Sequence, residues 1–363
     1  MKVLITYASA GAGHRRAAEA VFDYLKNNRK DIELELVDIL SFSNPFFRFC
    51  YDYGYPFLVH YATWLWGFFF WITEFSFTRW LSRKLSTFVN YLACHKFRNL
   101  LINEEFDFII STHFLNSELA ANLKLKNKIK SKLITVVTDF GVHPFWASCG
   151  TDLYIAASEL TKDKLLNIGV KKEQIKVFGI PFSPSFAKAQ DRGKLAAKFG
   201  IDADKFTVLV MTGSFGSGPL DKIAESLSHD VQVLVVCAKN KKLFSRLNKK
   251  DLENVKVFGF VNNAQELMGV SDVIITKPGG LSIAELLSMG LLPIFISAIP
   301  GQEQDNIKVL AAYGLGFAPR DIKQVKELVL GLRNNPQKLQ SLKRNIGQVA
   351  KPSACQEIAS VIC

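Results

Sequence analysis

Eleven short apolar runs, rich in β-branched residues and parted from one another by helical stretches, constrain this chain more than any other feature. The first series reads KVLITY (2–7), IELELVDI (32–39), FDFIIST (106–112), KLITVVTDF (132–140), LYIAAS (153–158) and IKVFGI (175–180). After the break Pro181-Phe182-Ser183-Pro184-Ser185 a second series follows: FTVLVMT (206–212), VQVLVVC (231–237), VKVFGFV (255–261), DVIIT (272–276) and LPIFIS (292–297). Strands that are apolar throughout and alternate with helices belong to parallel sheets buried on both faces. The pattern predicts an α/β protein of two halves, residues 1–182 and 183–363, with the last helix packing back on the first half. A chain of 363 residues is too long for one ordinary core and suits two domains of roughly 180 residues each.

An aromatic insert separates the second run from the third. Residues 46–80 hold 17 of the chain's 43 aromatics and four of its five tryptophans, Trp64, Trp66, Trp71 and Trp80. Tyr53 to Thr73 carries no charge apart from the one His60 can take up, and by length alone could cross a membrane. Topology argues otherwise. The runs on either side should share one sheet, which a single crossing would split across the bilayer, and Glu74, Arg79, Arg83 and Lys84 interrupt a return span. Aromatic-rich sequence containing Gly54 and Pro56 suits the headgroup boundary, where Trp and Tyr rings collect. Arg79, Arg83, Lys84, Lys96 and Arg98 lie just beyond and suit anionic lipid, at about 1 kcal/mol each. The expectation is an amphipathic membrane-binding insert over about 44–100, attached to one face of the membrane without crossing it. The alternative is an aromatic core or a dimer interface.

The net charge of +12 calls for an anionic partner: a membrane surface, a phosphorylated substrate or nucleic acid. No basic run interleaved with aromatics is present, so nucleic acid is not expected. The six cysteines form no CxxC pair, which gives neither a zinc site nor a disulfide framework and fits a reduced, cytosolic compartment. Residues 2–7 read as a strand leading into a glycine turn rather than as a signal peptide. The six histidines are scattered, with no HExxH or DxD, and no metal site or cofactor is expected.

Several strand ends carry residues suited to chemistry. In Gly11-Ala12-Gly13-His14 a helix start follows the first strand; such a site favours anions and keeps an imidazole neutral, able to act as a base. Asp139, in Thr138-Asp139-Phe140-Gly141, stands at the strand edge where ligands of α/β sheets bind, although a turn or cap role is the commoner use of such an Asp. His113 also ends a strand and reads equally as a satisfied turn residue. In the second half Gly279 and Gly280 lie between a strand and a helix, where backbone N–H groups and the helix dipole receive a diphosphate. Lys277 supplies a counter-charge or is a solvated turn lysine. Glu285, one turn into that helix, is placed to accept two ribose hydroxyls. The loop Gly213-Ser214-Phe215-Gly216-Ser217-Gly218 is a weaker motif that closes on the same diphosphate.

GAGH, TDF with His143 and Trp146 behind it, Gly179-Ile180-Pro181, KPGG with Ala284-Glu285, and PGQE with Asn306 resemble, in order and nearly along the whole chain, the diacylglycerol glycosyltransferase family. Monogalactosyldiacylglycerol synthases and bacterial diacylglycerol glucosyltransferases are among its members. The resemblance implies a GT-B fold, two Rossmann-like domains facing a cleft, and transfer of glucose or galactose from a UDP-sugar to the 3-hydroxyl of diacylglycerol at the cytoplasmic face of a membrane. It makes His14 the leading candidate for general base, with Asp139 either orienting it or deprotonating the acceptor itself. Gly13, His143 and Trp146 fall on the acceptor side. Lys239, Phe260 and Val261 fall where the family grips uracil, and Gln302, Glu303 and Asn306 where it holds the hexose hydroxyls. The insert is richer in aromatics than the family pattern requires. Transfer of N-acetylglucosamine to a polyprenyl-linked acceptor, and a non-catalytic membrane- or nucleotide-binding relative, are the competing readings.

Overall fold

A computed structural model describes residues 1–9, 11–54, 57–58, 62–73 and 76–362, without the side chains of residues 66, 69, 70, 72, 76, 77 and 79. The expectations placed on Pro56, His60, Glu74 and the side chains of Trp66 and Arg79 lie outside the described residues. The chain divides into two compact units. The first comprises Met1–Ser183, Ile299–Asn306 and Lys351–Cys363, the second Pro184–Ala298 and Ile307–Ala350. The helix Gln302–Ala312 thus begins in the first unit and ends in the second.

All eleven apolar runs are strands. In the first unit β1 (Lys2–Tyr7), β2 (Glu33–Asp38), β3 (Phe108–Ser111), β4 (Lys132–Val136), β5 (Leu153–Ile155) and β6 (Ile175–Lys176) form one sheet in the order β2-β1-β3-β4-β5-β6. Every pairing is parallel. The last strands are shorter than their apolar runs; after β6 the chain turns at Gly179, whose φ of 90° belongs to the left-handed region. Alternate residues serve opposite faces. Leu4, Ile109 and Leu133 pack with Phe97, Leu101, Leu115 and Leu119, whereas Val3, Ile5, Ile110 and Val136 pack with Ala18, Val21 and Leu25 of the helix Ala12–Asn28. Burial on both faces is why these strands read as continuous apolar runs.

In the second unit β7 (Thr207–Met211), β8 (Gln232–Val236), β9 (Val255–Phe258), β10 (Val273–Thr276) and β11 (Leu292–Phe295) order as β11-β10-β7-β8-β9, again all parallel. Asp272, just before β10, accepts both guanidinium nitrogens of Arg192 at 3.1 and 3.0 Å and the Thr207 N–H at 2.8 Å, fixing the start of β7 against β10.

The insert is helical and forms the crossover from β2 to β3. Its main pieces are Pro45–Phe49, Thr63–Ile72, Ser76–Ala93 and His95–Asn103. Ser76–Ala93 is tied to the helix Phe114–Leu125 by Glu118, which accepts from Thr87 and, at 3.1 Å, from Asn90. Its other side carries Leu81, Leu85, Phe88 and Leu92, each more than half exposed. Trp64, Trp71 and Trp80 are exposed as well. No helix of the described residues is long and apolar enough to cross a membrane.

The last helix, Ala354–Ser360, lies on Ala12–Asn28, where Ile358 and Ile362 complete the core beside Ala18, Val21 and Leu25. Ile358→Ala should therefore cost about 2–5 kcal/mol of stability. A clear fall in the urea midpoint is the expected result; an unchanged midpoint would show that this helix does not help to hold the first unit.

Candidate functional site

In a parallel sheet every strand C-terminus opens on the same edge, and a crevice forms where the strand order reverses. In the first unit the reversal lies between β1 and β3. The segments that follow these two strands carry His14, in the first turn of the helix Ala12–Asn28, and His113, and the two rings meet edge to face with centroids 4.6 Å apart. His14 is half-buried, and its Nδ1 lies 2.9 Å from the carbonyl oxygen of Thr112 and 2.8 Å from the Thr138 hydroxyl. A carbonyl oxygen only accepts, so the neutral ring carries its proton on Nδ1 and its lone pair on Nε2. Packing around the ring lowers its pKa to about 4, against a smaller upward pull from the Thr112 carbonyl. His14 is accordingly neutral at physiological pH. His113 is buried; its Nδ1 accepts the Leu115 N–H at 3.2 Å and caps the helix Phe114–Leu125, and burial pushes its pKa well below the usual imidazole value.

Asp139 follows the same edge but serves a different cluster. Its carboxylate is buried and accepts from Gln302 Nε2 at 2.7 Å and Asn306 Nδ2 at 3.3 Å. It does not orient His14; the Thr112 carbonyl and the Thr138 hydroxyl do. Burial raises the Asp139 pKa to about 6, partly offset by the two amide donors.

Four further candidates, Asn306, Gln302, Glu303 and Trp146, have partners within the protein. Asn306, expected near hexose hydroxyls, is fully buried, and its Oδ1 accepts the N–H groups of Phe140 and Gly141 at 2.8 Å each. Gln302 turns to Asp139, and Glu303 accepts the Ile299 N–H at 2.8 Å. A buried carboxylate needs donors and two turn amides need acceptors, and this segment supplies both. Trp146, expected at an acceptor entrance, is 3% exposed and packs among Val137, Tyr154 and Leu165, its ring centroid 6.4 Å from that of His14. His143 is half-buried and tied by Nε2 to the Thr73 hydroxyl at 3.0 Å, which joins the insert to the TDF loop. Gly13 lies in the first turn of the helix that carries His14.

In the second unit the reversal falls between β7 and β10. The loops after these strands are Gly213–Gly218 and Lys277–Gly280, so the two glycine motifs flank one crevice. Gly216, with φ 56°, passes so close to β8 that a Cβ there would lie 2.1 Å from the Cys237 carbonyl oxygen. Asn240 ties the same turn down by donating to the Gly216 carbonyl at 3.1 Å, while the Ser214 carbonyl accepts the Lys239 N–H at 3.3 Å. Phe215 is two-thirds exposed. Gly279 precedes the helix Gly280–Ser288, whose start has no side-chain cap. Thr212, directly before Gly213, is buried with a hydroxyl that has no partner. Lys277 is half-buried, and Glu285 is buried inside the helix at 3% exposure. Lys239, Phe260 and Val261 follow β8 and β9 on the same edge, with Lys239 and Phe260 exposed. Among the described residues no cluster of three or more His, Cys, Asp or Glu side chains converges as metal ligands would.

Two all-parallel α/β units have the GT-B architecture of nucleotide-sugar glycosyltransferases. The chain is similar in structure to MurG of Acinetobacter baumannii, with TM-score 0.60 and 15% identity over 99% of both chains. It is also similar to HepE of Anabaena in complex with UDP, with TM-score 0.57 and 16% identity over 100% of this chain and 99% of that one. Residues 14–182 match the monogalactosyldiacylglycerol (MGDG) synthase family and residues 207–358 the glycosyltransferase family 28 C-terminal domain. The processive diacylglycerol β-glucosyltransferase of Bacillus pumilus is 27% identical over 98% of this chain and 93% of its own length. Monogalactosyldiacylglycerol synthase 1 of Arabidopsis thaliana, a chloroplast protein, is 30% identical over 98% of this chain and 69% of its own. The chain belongs to the diacylglycerol glycosyltransferase family, and it is a glycosyltransferase.

Asp139 makes one property of the site measurable. A carboxyl whose folded pKa stands at about 6, above its ordinary 3.8, binds its proton more tightly when folded. Its stabilising contribution is full below about pH 4 and is lost as pH rises through 6, so that ionised Asp139 costs about 1–3 kcal/mol at higher pH. In Asp139→Asn, Asn306 must keep its orientation, and the Gln302 amide can turn over to accept from the new amide. This variant should melt above the wild type at pH 8 and lose that advantage below pH 4. A lower melting point at pH 8 would contradict the assignment.

Proposed function

We propose that the protein transfers glucose or galactose from its UDP-sugar to the 3-hydroxyl of 1,2-diacylglycerol with inversion, working at a membrane surface. The observation that carries the reading is the contact of His14 Nδ1 with the Thr112 carbonyl oxygen at 2.9 Å. Because Nδ1 faces a carbonyl, Nε2 offers a lone pair at the switch point of the first sheet. Relatives named for glucosyl and galactosyl transfer to diacylglycerol support the substrate class.

In the proposed step Nε2 of His14 takes the proton of the acceptor hydroxyl as its oxygen bonds to the anomeric carbon. The bond from that carbon to the diphosphate breaks on the opposite face, UDP leaves with the electron pair, and the configuration inverts. Base help of this kind contributes on the order of 10²–10⁴ in rate. The second unit is assigned the donor. The amides of Gly213–Gly216, the helix start at Gly279 and Gly280, and Lys277 would take the charge of the leaving diphosphate. Glu285 would hold the ribose, and Lys239, Phe260 and Val261 the uracil. No metal, cofactor or nucleic acid enters the proposal.

The assay is purified protein with diacylglycerol vesicles and each UDP-hexose in turn. UDP release should require diacylglycerol, and His14→Ala should lose 10²- to 10⁴-fold in turnover while still binding UDP, the range set by loss of a general base. Near-normal turnover in that variant would remove His14 from the role.

The membrane reading rests on the stripe of Leu81, Leu85, Phe88 and Leu92, whose spacing of three and four residues sets them on one side of their helix. Lys84 stands over the Trp80 ring at 4.1 Å and Arg98 over Tyr91 at 3.9 Å, cations at an apolar margin as an anionic lipid surface would require. The expected site of action is the cytoplasmic face, with the protein peripheral and monotopic. Leu85→Glu with Phe88→Glu should abolish sedimentation with vesicles containing anionic lipid and leave UDP binding intact; retention on the vesicles would refute the surface.

A further inference from the structure

The reading of His14 as base leaves open what selects its reactive tautomer, because an imidazole free in water mostly carries its proton on Nε2, the atom that must here be bare. In the serine-protease arrangement a carboxylate on the far nitrogen makes that choice. This chain has a carboxylate at Asp139, next in sequence to Thr138, but its oxygens are taken by Gln302 and Asn306. Two neutral oxygens face Nδ1 instead: the Thr112 carbonyl at 2.9 Å and the Thr138 hydroxyl at 2.8 Å. They come from the ends of neighbouring strands β3 and β4, and the Thr138 hydroxyl lies 3.5 Å from the same Thr112 carbonyl. Thr112 returns a bond from its own hydroxyl to the His14 carbonyl at 2.9 Å, so the backbone at His14 is held as well as the ring. His113 lies against the edge of the ring and closes its other side.

We propose that Thr138 is a positioning residue for the transfer, its hydroxyl acting with the Thr112 carbonyl to hold His14 as the Nδ1–H tautomer with the Nε2 lone pair outward. A Thr138 hydroxyl that accepts from Nδ1 can donate its own hydrogen bond to the Thr112 carbonyl, so the three atoms form a closed hydrogen-bonded set anchored on a backbone oxygen that substitution cannot remove. When His14 takes the acceptor proton, the positive charge stays on the ring, and the dipoles of the same two oxygens stabilise it. The inference rests on the base role of His14 but concerns a different atom, and the two can fail separately.

The test compares Thr138→Val, close in shape and without the hydroxyl, with Thr138→Ser, which keeps it. Thr138→Val should lose roughly 3- to 10-fold in kcat, the effect of one ordinary hydrogen bond, at unchanged KM for the UDP-sugar, and Thr138→Ser should restore most of it. Nitrogen-15 chemical shifts of labelled histidine, with the His14 signals assigned by their absence in His14→Ala, read the tautomer without any turnover. The wild type should show His14 protonated at Nδ1, and Thr138→Val should show a population protonated at Nε2. Wild-type kcat in Thr138→Val overturns the proposal, as does a loss that serine does not restore or a wild-type His14 already protonated at Nε2. Turnover surviving in His14→Ala would end the base reading, and the nitrogen shifts alone would then decide whether Thr138 sets the tautomer.

Discussion

Parallel pairing is the constraint on which everything else in this molecule depends. Because all strands of a sheet run the same way, their C-terminal ends share one edge, and the reversal of strand order opens that edge at a single place. In the first sheet the reversal separates β1 from β3 and brings together the segments holding His14 and His113. In the second it separates β10 from β7 and flanks one crevice with both glycine loops. Neither set of residues is near-neighbour in sequence. Strand order alone makes them neighbours in space.

Much of this was legible from the chain because a strand buried on both faces writes itself as an uninterrupted apolar run. Each of the eleven runs became a strand, and KPGG and GAGH both fell between a strand and the helix that follows it. The partners of the site residues were hidden for the opposite reason, since hydrogen bonds across 98 to 167 positions leave no periodic trace. Thr112 and Thr138 each stand just beyond a strand end, the one signal that could have singled them out. Asn306 and Gln302 carried family-like spacing, which says that a residue matters without saying which atoms it touches. Here they touch the TDF loop. Trp146 failed as an entrance residue because an indole so close to the sheet edge is more stable packed among Val137 and Tyr154 than left wet.

The polar groups of the first unit divide into two environments a few residues apart. Asp139 is buried against amide donors and is strained towards holding a proton. His14, in a setting of neutral oxygens and rings, is strained towards giving one up. Both shifts come chiefly from desolvation, and both oppose charge. Burial thus favours the neutral form of each group at rest.

The aromatic helices sit in the chain as the crossover between the edge strand β2 and the inner strand β3. Closure of a crossover depends on its two anchored ends, and each doubling of its length adds only about 0.6 kcal/mol of chain entropy when it is flexible. The segment can therefore lengthen, shorten or exchange its side chains over generations while β1 and β3 keep their register. In an enzyme built this way the aromatic crossover and the residues at the switch point are free to evolve on separate clocks.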